Sequence, residues 1–476
     1  MITLSLAEIA EVTGGTLADA ADAGVLVTGP AFLDSRAPLA DGLFLAIAGE
    51  HVDGHDFAAG AVAGGAAAVL GSRPTGAPTV LVDDVEAALG TLAAYVLRRL
   101  RRGNPALQVI AVTGSQGKTG VKDMLAAVLA AEAETVATFG SFNNELGLPI
   151  TVLRAQESTR YLVLEMGARG IGHLAALTAI APPDISVVLN VGRAHLGEFG
   201  SRENIAIAKG ELVEALGPGG TAVLNLDDPL VAAMAPRTRG QIRTFGTTSG
   251  ASVQLSELEV DELGRPSFDL HAATERVRVR LRLLGEHQAL NAAAVATAAL
   301  AAGVALETIA TALEQITSLS KWRMELHERA DGLVVINDAY NANPDSMAAG
   351  LRALAGIGER TGRPTLAVLG EMRELGAAST EEHQSIADLS RELGIDRVVV
   401  VGEGARALYE RRRESDDTAT FHDSVHDAVD GVRNNVDGTQ VVLVKASRAA
   451  GLERVAEALV ATETHPSDED GQEAGP

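Results

Sequence analysis

Apolar residues along the chain are grouped in short runs, and longer amphipathic segments of helical period separate these runs. The runs have the length and the β-branched content of buried strands. They cover residues 107–112, 161–165, 185–190, 221–225, 333–337, 365–369, 397–401 and 441–445. Buried strands that alternate with helices predict an α/β protein with parallel, doubly wound sheets, which bind ligands at the carboxyl ends of their strands.

Interruptions of this pattern predict three domains and a tail. Residues 1–103 mix short strands with alanine-rich helices, and the last of these helices ends at Gly103-Asn104-Pro105. Residues 104–318 form a central doubly wound domain, and residues 319–460 form a second Rossmann-like domain. Residues 461–476 contain Asp and Glu but no Lys or Arg, and this composition is typical of a disordered tail.

Two local patterns add detail to these domains. Strict alternation at 277–283, together with the segments 253–260 and 267–270, predicts a small antiparallel addition late in the central domain. The arginines of the alternating segment are expected on one solvated face. In the last domain, Ser379 and Glu382 have the spacing of a capping box at the start of a helix.

The composition excludes several classes of site and partner. There are 39 Lys and Arg against 63 Asp and Glu, and the net charge of −24 argues against nucleic acid or an anionic membrane as a partner. The absence of cysteine excludes disulfides, thiolate metal sites and cysteine nucleophiles. No uncharged apolar stretch reaches the roughly 18 residues of a membrane span, and no basic, apolar leader opens the sequence. We therefore expect a cytoplasmic protein.

Between a predicted strand and a predicted helix lies the stretch Thr113-Gly114-Ser115-Gln116-Gly117-Lys118-Thr119. Its glycines would let backbone N–H groups turn towards phosphate oxygens at the N-terminus of the helix. Lys118 would reach the β- and γ-phosphates, and the Thr119 hydroxyl would bind Mg²⁺. The alternative is an ordinary glycine turn, because Val112 occupies the place of the first glycine of the usual motif. Lys-Thr directly after Gly-x-x-Gly favours an ATP site.

Polar residues at the ends of neighbouring strands are candidate metal ligands. Glu165 ends one strand, where a carboxylate is costly unless it pairs, caps or binds a cation. Asn190 and His195 follow the next strand along the chain and emerge on the same rim. A lone histidine after a strand is more often structural than a ligand. Its position on one rim with Glu165 and the phosphate loop favours Mg²⁺ binding.

The helical segment 203–216 places a lysine among apolar residues. Lys209 shares one helical face with Ile205, Leu212 and Leu216, at spacings of four, three and four. The common explanation for such a lysine is that its side chain extends to solvent. If Lys209 is desolvated instead, its pKa falls and its amine becomes a nucleophile.

Polar residues also collect where strands of the last domain end, at 338–346, 370–376 and 445–448. Each cluster could be a plain turn, but three clusters on one edge of one sheet predict a cleft. In the preceding domain, Glu286, His287 and Asn291 lie at the start of an alanine-rich helix. They would either face a nucleotide base or serve as capping and packing residues.

Taken in order, these motifs resemble those of the Mur ligases, the ATP-dependent amide-forming enzymes of peptidoglycan precursor synthesis. The resemblance extends over nearly the whole chain and is carried by residues 113–119, 143–149, 165–167, 190–195, 208–211, 285–291 and 338–347. Within the family, residues 338–347 and 369–376 resemble the ligases that add D-alanyl-D-alanine. The sequence lacks the Asp-Asn-Pro-Arg motif that is usual in the ligases adding the third residue.

The resemblance implies a UDP-sugar domain at 1–103, an ATP domain at 104–318 and a dipeptide domain at 319–460. It implies a monomer that joins D-alanyl-D-alanine to a UDP-N-acetylmuramoyl tripeptide through an acyl phosphate, with ATP and Mg²⁺. The implied catalytic residues are Lys118, Lys209, which would be carbamylated, and His195. The implied Mg²⁺ ligands are Thr119, Glu165, His195 and Lys209. The implied nucleotide contacts are Thr113, Gly114, Ser115, Gln116, Gly117, Lys118, Thr119, Asn291, Arg323 and Asp338. The implied substrate contacts are Ser35, Arg36, Asp53, His55, Asn143, Asn144, Asn341, Lys445 and Ser447.

A few positions depart from the family pattern. They are Gly120 in place of a hydroxyl residue, Ile207 in place of a frequent lysine, Gly197-Glu198 in reversed order, and Trp322 where glycine usually precedes Arg323. None of these changes removes a phosphate or metal group. Two alternatives stay open: another amino-acid ligase of the superfamily, such as a folylpolyglutamate-type enzyme, and a nucleotide-binding protein without catalytic activity.

Overall fold

The structure, a computed structural model, describes residues 1–461 apart from 20–21, 50–51, 193–198, 200, 374 and 415–416. The chain folds into two compact units. The first unit comprises Met1–Leu258, Phe268–Arg280 and Ala289–Ile316, and the second comprises Glu259–Ser267, Leu281–Gln288 and the chain from Thr317 onwards. Among the helices of the described residues, none has the length and apolar character needed to cross a lipid bilayer.

The N-terminal part of the first unit is built on a small mixed sheet. Its strands lie in the order Thr16–Ala18, Thr79–Leu81, Ala68–Gly71, Leu43–Ala46 and Ala31–Phe32. The first pair is antiparallel and the following pairs are parallel. Leu4–Ser5 pairs separately with Leu26–Val27. The helices of this part are Leu6–Thr13, Ala58–Ala63 and Val85–Gly103.

A sheet of nine strands forms the centre of the first unit. Its strands lie in the order Glu275–Arg280, Pro266–Ala272, Val253–Val260, Gln241–Gly246, Thr221–Asn225, Ile185–Val188, Gln108–Thr113, Tyr161–Glu165 and Thr135–Ala137. From Val253–Val260 to Thr135–Ala137, every neighbouring pair is parallel. The accompanying helices are Lys118–Ala130, Gly147–Leu153, His173–Ile180, Arg202–Glu214, Pro229–Ala232, His287–Ala301 and Leu306–Gln315.

The register of this sheet brings the predicted phosphate and metal residues to one edge. Glu165 lies opposite Val112, and Val188 lies opposite Thr113 on the other side of the same strand. The residues that follow these strands therefore emerge at the carboxyl edge beside the phosphate loop. This is the edge at which a doubly wound sheet binds its ligands.

The second unit is built on a six-stranded sheet. Its strands lie in the order Glu325–Glu328, Val334–Asp338, Val441–Lys445, Thr365–Leu369, Arg397–Val401 and Ala419–His422, and all pairs but the first are parallel. The helices are Pro344–Thr361, Ser379–Glu392, Arg406–Arg413, Val425–Arg433 and Glu453–Val460. The two faces of this sheet have separate hydrophobic cores. Val334 and Ile336 belong to one core, and Leu333 and Val335 belong to the other. Burial on both faces explains why these strands are continuously apolar.

The α/β fold and most of the strand positions are confirmed. The capping box predicted at Ser379 is wrong, because the helix Ser379–Glu392 has Ala378 as its N-cap and no side-chain cap. A capping box is present instead at Asn343 and Ser346, which open the helix Pro344–Thr361. The alternating segment ends its strand at Arg280 rather than at residue 283. Of the predicted acidic tail, Ala461 is described and residues 462–476 lie outside the described chain.

Candidate active site

The phosphate loop connects the strand Gln108–Thr113 to the helix Lys118–Ala130. Gly117 caps this helix with a φ of 82°, a left-handed conformation that favours glycine. A Cβ atom at this position would lie 2.9 Å from Oδ1 of Asn291. The glycine thus gives the loop its turn and leaves room for Asn291, a predicted nucleotide contact.

The loop presents the groups that a phosphate requires. The helix that begins at Lys118 leaves its first backbone N–H groups without intrahelical partners, and its dipole favours an anion at this end. The Lys118 side chain folds back, and its Nζ donates to the Gly114 carbonyl at 2.8 Å. The Thr113 hydroxyl donates to the Met166 carbonyl at 2.9 Å, which ties the loop to the neighbouring strand.

Asn190 holds the loop from the other side. Its Oδ1 accepts from the Gln116 N–H at 2.9 Å, and its Nδ2 donates to the Gln116 carbonyl at 3.2 Å. The Asn190 carbonyl also accepts from the Ser115 N–H at 3.1 Å. The sequence places Asn190 on this rim, but its role as a clamp on the loop depends on side-chain geometry that a sequence pattern does not contain.

Glu165 is a buried carboxylate with one unsatisfied oxygen. Its residue exposure is 1%, and its Oε1 accepts from Nδ2 of Asn143 at 2.7 Å. Within the described part of the chain, Oε2 has no hydrogen-bond partner. A buried, half-satisfied carboxylate is costly unless a cation or a proton completes it. Its position at the end of the strand beside the phosphate loop therefore fits a divalent cation.

The rest of the predicted Mg²⁺ ligand set is less complete. Thr119, a predicted Mg²⁺ ligand, is buried at the start of the phosphate-loop helix. His195 lies outside the described residues, and so does Glu198. Among the described residues, no group of three or more His, Asp and Glu side chains converges on one point. Glu165 is thus the described residue whose own contacts support a Mg²⁺ site.

Lys209 is buried in the helix Arg202–Glu214, with an exposure of 5%. Burial in the apolar surroundings, together with the positive charge of Lys118, lowers the pKa of its amine from 10.5 to about 7, and burial is the larger cause. The predicted apolar position is confirmed, and the alternative of a lysine that extends to solvent is wrong.

Arg237 supports the Lys209 helix in a way that the sequence does not indicate. Its guanidinium donates to the carbonyls of Ala206 and Ile207 at 3.1 and 2.9 Å, and to the carboxylate of Glu214 at 2.9 Å. It fits against the helix because residue 210 is glycine. A Cβ atom at Gly210 would lie 1.7 Å from the guanidinium. The close packing of Arg237 thus explains why glycine directly follows Lys209.

The predicted UDP-sugar residues differ in exposure. Arg36 is exposed, and its guanidinium donates to the carboxylate of Asp34. Ser35, which lies between these two residues in the sequence, is partly exposed. His55 is buried, and its Nε2 accepts from the Ser72 N–H at 2.9 Å. Its proton therefore lies on Nδ1, which donates to Asp53 at 2.6 Å. Hydrogen bonds from the backbone N–H and the ring of His55 hold the pKa of Asp53 well below its usual value.

At the carboxyl edge of the six-stranded sheet, the predicted residues form one connected group. Lys445 is 1% exposed, and its Nζ donates to Oδ2 of Asp338 at 2.5 Å and to the Asn341 carbonyl at 3.0 Å. Oδ1 of Asp338 accepts from the Met324 N–H at 3.1 Å. The structure thus brings together Asp338, predicted for the nucleotide, and Lys445, predicted for the dipeptide.

Ser447 and Arg323, two further predicted residues of the second unit, each make contacts of their own. The Ser447 N–H donates to the Glu371 carbonyl at 2.9 Å, and the Ser447 hydroxyl accepts from the Arg373 N–H at 3.0 Å. The loops after two neighbouring strands are joined in this way. The Arg323 guanidinium lies 4.1 Å from the ring centre of Tyr340, a cation–π contact, and its buried Nε has no partner within the described chain.

Comparison with known proteins gives consistent matches along the chain. The model of the Mur ligase family catalytic domain matches residues 32–97, that of the Mur ligase middle domain matches 112–299, and that of the Mur ligase glutamate ligase domain matches 322–448. The chain is 46% identical to the UDP-N-acetylmuramoyl-tripeptide–D-alanyl-D-alanine ligase of Mycobacterium tuberculosis, over 98% of this chain and 99% of that protein. It is 35% identical to the ligase of the same name from Bacillus subtilis, over 97% and 99%.

Solved structures agree with these sequence matches. The chain is similar to a crystal structure of MurF from Acinetobacter baumannii, with a TM-score of 0.85, 32% identity, and coverage of 96% of this chain and 99% of that chain. It is also similar to MurF from Thermotoga maritima in complex with ADP, with a TM-score of 0.73, 30% identity, and coverage of 91% and 97%.

Proposed function

The chain belongs to the Mur ligase family, and from this premise we propose that it joins D-alanyl-D-alanine to UDP-N-acetylmuramoyl tripeptide with the cleavage of ATP. The observation that carries the proposal is the likeness, over almost the full length of both chains, to ligases of that name. The nearest alternative is a ligase of the same superfamily that acts on a different substrate. The strands and loops that would select the dipeptide lie in the part of the chain covered by these matches.

The geometry of the phosphate loop supports ATP as the phosphoryl donor. The helix N-terminus, the left-handed Gly117 and the Lys118 amine belong to one loop and are the groups that would bind the β- and γ-phosphates. We assign nucleotide binding to Thr113, Gly114, Ser115, Gln116, Gly117, Lys118, Thr119 and Asn291 of the first unit, and to Arg323 and Asp338 of the second. Lys118 would also neutralise charge on the transferred group.

The unsatisfied oxygen of Glu165 supports Mg²⁺ as the metal. Glu165 and the Thr119 hydroxyl would hold the ion, together with His195. When bound, Mg²⁺ would neutralise charge on the phosphates. Asn143 would fix the orientation of the Glu165 carboxylate through its hydrogen bond to the other oxygen.

Lys209 is the proposed site of a carbamate. A neutral amine attacks CO₂ and loses a proton, which yields an anionic carbamate. The low pKa of the buried amine supports this reaction, because an amine with a pKa of about 7 is largely neutral in the cell. The carbamate would place a negative charge near the cation of Lys118 and supply a further oxygen ligand for a metal ion.

The remaining residues would bind the two substrates that are joined. Ser35, Arg36, Asp53 and His55 would contact the UDP-sugar. Asn143 and Asn144 would contact the tripeptide close to the phosphate loop. In the second unit, Asn341, Lys445 and Ser447 would bind D-alanyl-D-alanine, and Lys445 would act within its ion pair with Asp338.

These residues serve a reaction in two steps. The terminal carboxylate of the tripeptide attacks the γ-phosphorus, the bond to the β–γ bridging oxygen breaks, and ADP leaves an acyl phosphate behind. The amine of D-alanyl-D-alanine then attacks the acyl carbon. The tetrahedral intermediate loses a proton and expels phosphate, which leaves the amide. Lys118 and the loop N–H groups hold the phosphoryl group during the first step.

The test is phosphate release from ATP with Mg²⁺, UDP-N-acetylmuramoyl tripeptide and D-alanyl-D-alanine, with each component omitted in turn. We expect release when all components are present and a product heavier than the tripeptide substrate by one dipeptide residue. Release with a folate and glutamate in place of the UDP-tripeptide and the dipeptide would support the folylpolyglutamate-type alternative. ATP binding without substrate-dependent release would support the non-catalytic alternative.

A matched pair of variants tests the phosphate loop in the same assay. Lys118→Met is expected to lower the rate by at least about 100-fold, because it removes a donor to the transferred phosphoryl group. Arg239→Met removes an exposed cation of the same unit and is expected to leave the rate unchanged. Equal rates for Lys118→Met and wild type would contradict the assignment of the loop.

A further inference from the structure

Arg323 lies between two residues in a strained backbone conformation. Trp322 has a φ of 59° and Met324 a φ of 49°. Side chains of this size rarely adopt left-handed backbone angles, and such strain persists only where the surroundings hold it in place. The question is therefore what holds the segment Trp322–Met324 in this form.

Trp322 is held at its backbone and at its ring. Its carbonyl accepts from the Tyr340 N–H at 3.0 Å, and its indole N–H donates to Glu457 at 3.3 Å. The Arg448 guanidinium lies 4.1 Å from the indole centre, in a cation–π stack. Met324 is held by the hydrogen bond from its N–H to Asp338.

Arg448 belongs to the loop that follows the strand Val441–Lys445. It comes directly after Ser447, and its Nη1 donates to Glu453 at 2.7 Å. One face of the Arg448 guanidinium thus stacks on Trp322, and one of its edges donates a hydrogen bond to Glu453. Through these contacts, the strained segment that carries Arg323 is attached to the loop that carries Lys445 and Ser447.

The same two parts of the chain are joined a second time. Asp338 accepts from the Met324 N–H with one oxygen and from the Lys445 amine with the other. Each strained residue therefore has its own connection to the loop 445–448: Met324 through Asp338 and Trp322 through Arg448. A movement of this loop would change both contacts of the segment that carries Arg323.

We propose that Trp322 is a positioning residue, which stacks on Arg448 and thereby couples the dipeptide-binding loop 445–448 to Arg323. The inference rests on the proposed function, since it takes Lys445 and Ser447 as dipeptide contacts and Arg323 as a nucleotide contact. It also explains why tryptophan occupies a position whose backbone favours glycine. The ring provides a contact that glycine lacks, and this contact offsets the strain.

Steady-state kinetics test the coupling. Trp322→Gly removes the ring and relieves the backbone strain, and Arg448→Met removes the guanidinium and leaves the ring. We expect each variant to raise the KM for D-alanyl-D-alanine by about fivefold, as expected for the loss of one partly exposed cation–π contact. The KM for the UDP-tripeptide should stay within about twofold of wild type. Trp322→Phe, which keeps an aromatic face, should recover most of the lost affinity.

The double variant Trp322→Gly with Arg448→Met separates coupling from independent damage. If the two residues act as one stack, the double variant is no worse than the more affected single variant. Multiplication of the two KM effects would overturn the proposal. A dipeptide KM that is unchanged in Trp322→Gly, or a UDP-tripeptide KM that rises by the same factor, would overturn it as well.

Arg406 provides a matched control in the same unit. Its guanidinium also lies 4.1 Å from an aromatic ring centre, that of Phe421, and it also pairs with a glutamate, Glu403, at 2.7 Å. Arg406→Met therefore removes the same kind of contact away from the loop 445–448. Its dipeptide KM is expected to match that of wild type, and an increase equal to that of Arg448→Met would contradict a specific role for the stack.

Fluorescence gives a readout that does not depend on turnover, because Trp322 is the only tryptophan of the chain. We expect D-alanyl-D-alanine to produce a saturable change in emission in wild type and in Arg406→Met, and none in Arg448→Met. The same change in Arg448→Met, or no change in an active wild type, would overturn the proposal. A wild type without dipeptide-dependent phosphate release would count against the proposed function instead.

Discussion

At the residue scale, the buried amine of Lys209 makes a prediction about pH. Its pKa is about 7 in the folded protein and 10.5 in the unfolded chain. Between these values the unfolded chain binds the extra proton, so the free energy of unfolding rises with pH across this window. Below pH 7 the folded protein must bury the charge. Relative to Lys209→Met, wild type should therefore gain about 3 kcal/mol of stability between pH 6 and pH 9.

Denaturant unfolding of the ligand-free protein in buffer without CO₂ and Mg²⁺ checks this difference. Lys209→Met should be more stable than wild type at pH 6, although it should lack ligase activity. Lys321→Met, which changes an exposed lysine, serves as the control and should show no such dependence on pH. A stability difference between wild type and Lys209→Met that does not vary with pH would contradict the low pKa.

The unsatisfied oxygen of Glu165 leads to a second prediction at this scale. Glu165→Gln keeps the shape of the side chain but removes its charge, so the ligand-free protein should be at least as stable as wild type. Mg²⁺ with ADP should stabilise wild type more than this variant, and phosphate release should fall by at least about 100-fold.

Thermal unfolding with and without Mg²⁺–ADP, together with the phosphate assay, checks the Glu165 prediction. Glu134→Gln is the matched control, because Glu134 lies at the amino end of the neighbouring strand Thr135–Ala137, away from the phosphate loop. Its carboxylate accepts a hydrogen bond from the Thr159 hydroxyl at 3.0 Å. Its response to the nucleotide should equal that of wild type. If Glu165→Gln responded in the same way, the carboxylate would have no part in binding the metal.

At the element scale, the Lys209 helix provides a test of packing. Alanine is a better helix former than glycine by about 1 kcal/mol, but a Cβ atom at Gly210 would collide with the Arg237 guanidinium. Gly210→Ala should therefore destabilise the protein by about 1 kcal/mol, because the guanidinium loses its hydrogen bonds to the helix carbonyls. In an Arg237→Met background, the same substitution should be stabilising. Denaturant unfolding of the four proteins measures both signs, and the same sign in both backgrounds would contradict the packing argument.

The elements also show what a sequence can predict. The strands Tyr161–Glu165 and Val441–Lys445 agree with their predictions to the residue, since burial on both faces makes them continuously apolar. Lys209 was placed on a buried face by helical periodicity alone. The capping box at Asn343 was missed because serine occupies the position at which the usual pattern has Glu or Gln.

The contacts that complete the candidate site were beyond sequence patterns for a different reason. Arg237 meets the Lys209 helix, Arg448 meets Trp322, and Asn190 clamps the phosphate loop through side chains that are distant in sequence. Periodicity describes which face of an element is buried, but it does not indicate which residue of another element packs against it. These contacts depend on which elements lie next to each other in the folded protein, and a local sequence pattern does not contain that information.

At the scale of the whole molecule, the division into two compact units predicts more than one unfolding transition. The phosphate loop and Glu165 belong to the first unit, and the loop 445–448 belongs to the second. A ligand stabilises the unit that binds it, by about 2.7 kcal/mol at a concentration 100 times its Kd. In calorimetry, Mg²⁺–ADP should therefore raise mainly the transition of the first unit, and D-alanyl-D-alanine mainly that of the second. Lys118→Met should lose the first shift and keep the second. A single transition that both ligands raise equally would contradict the separate unfolding of the two units.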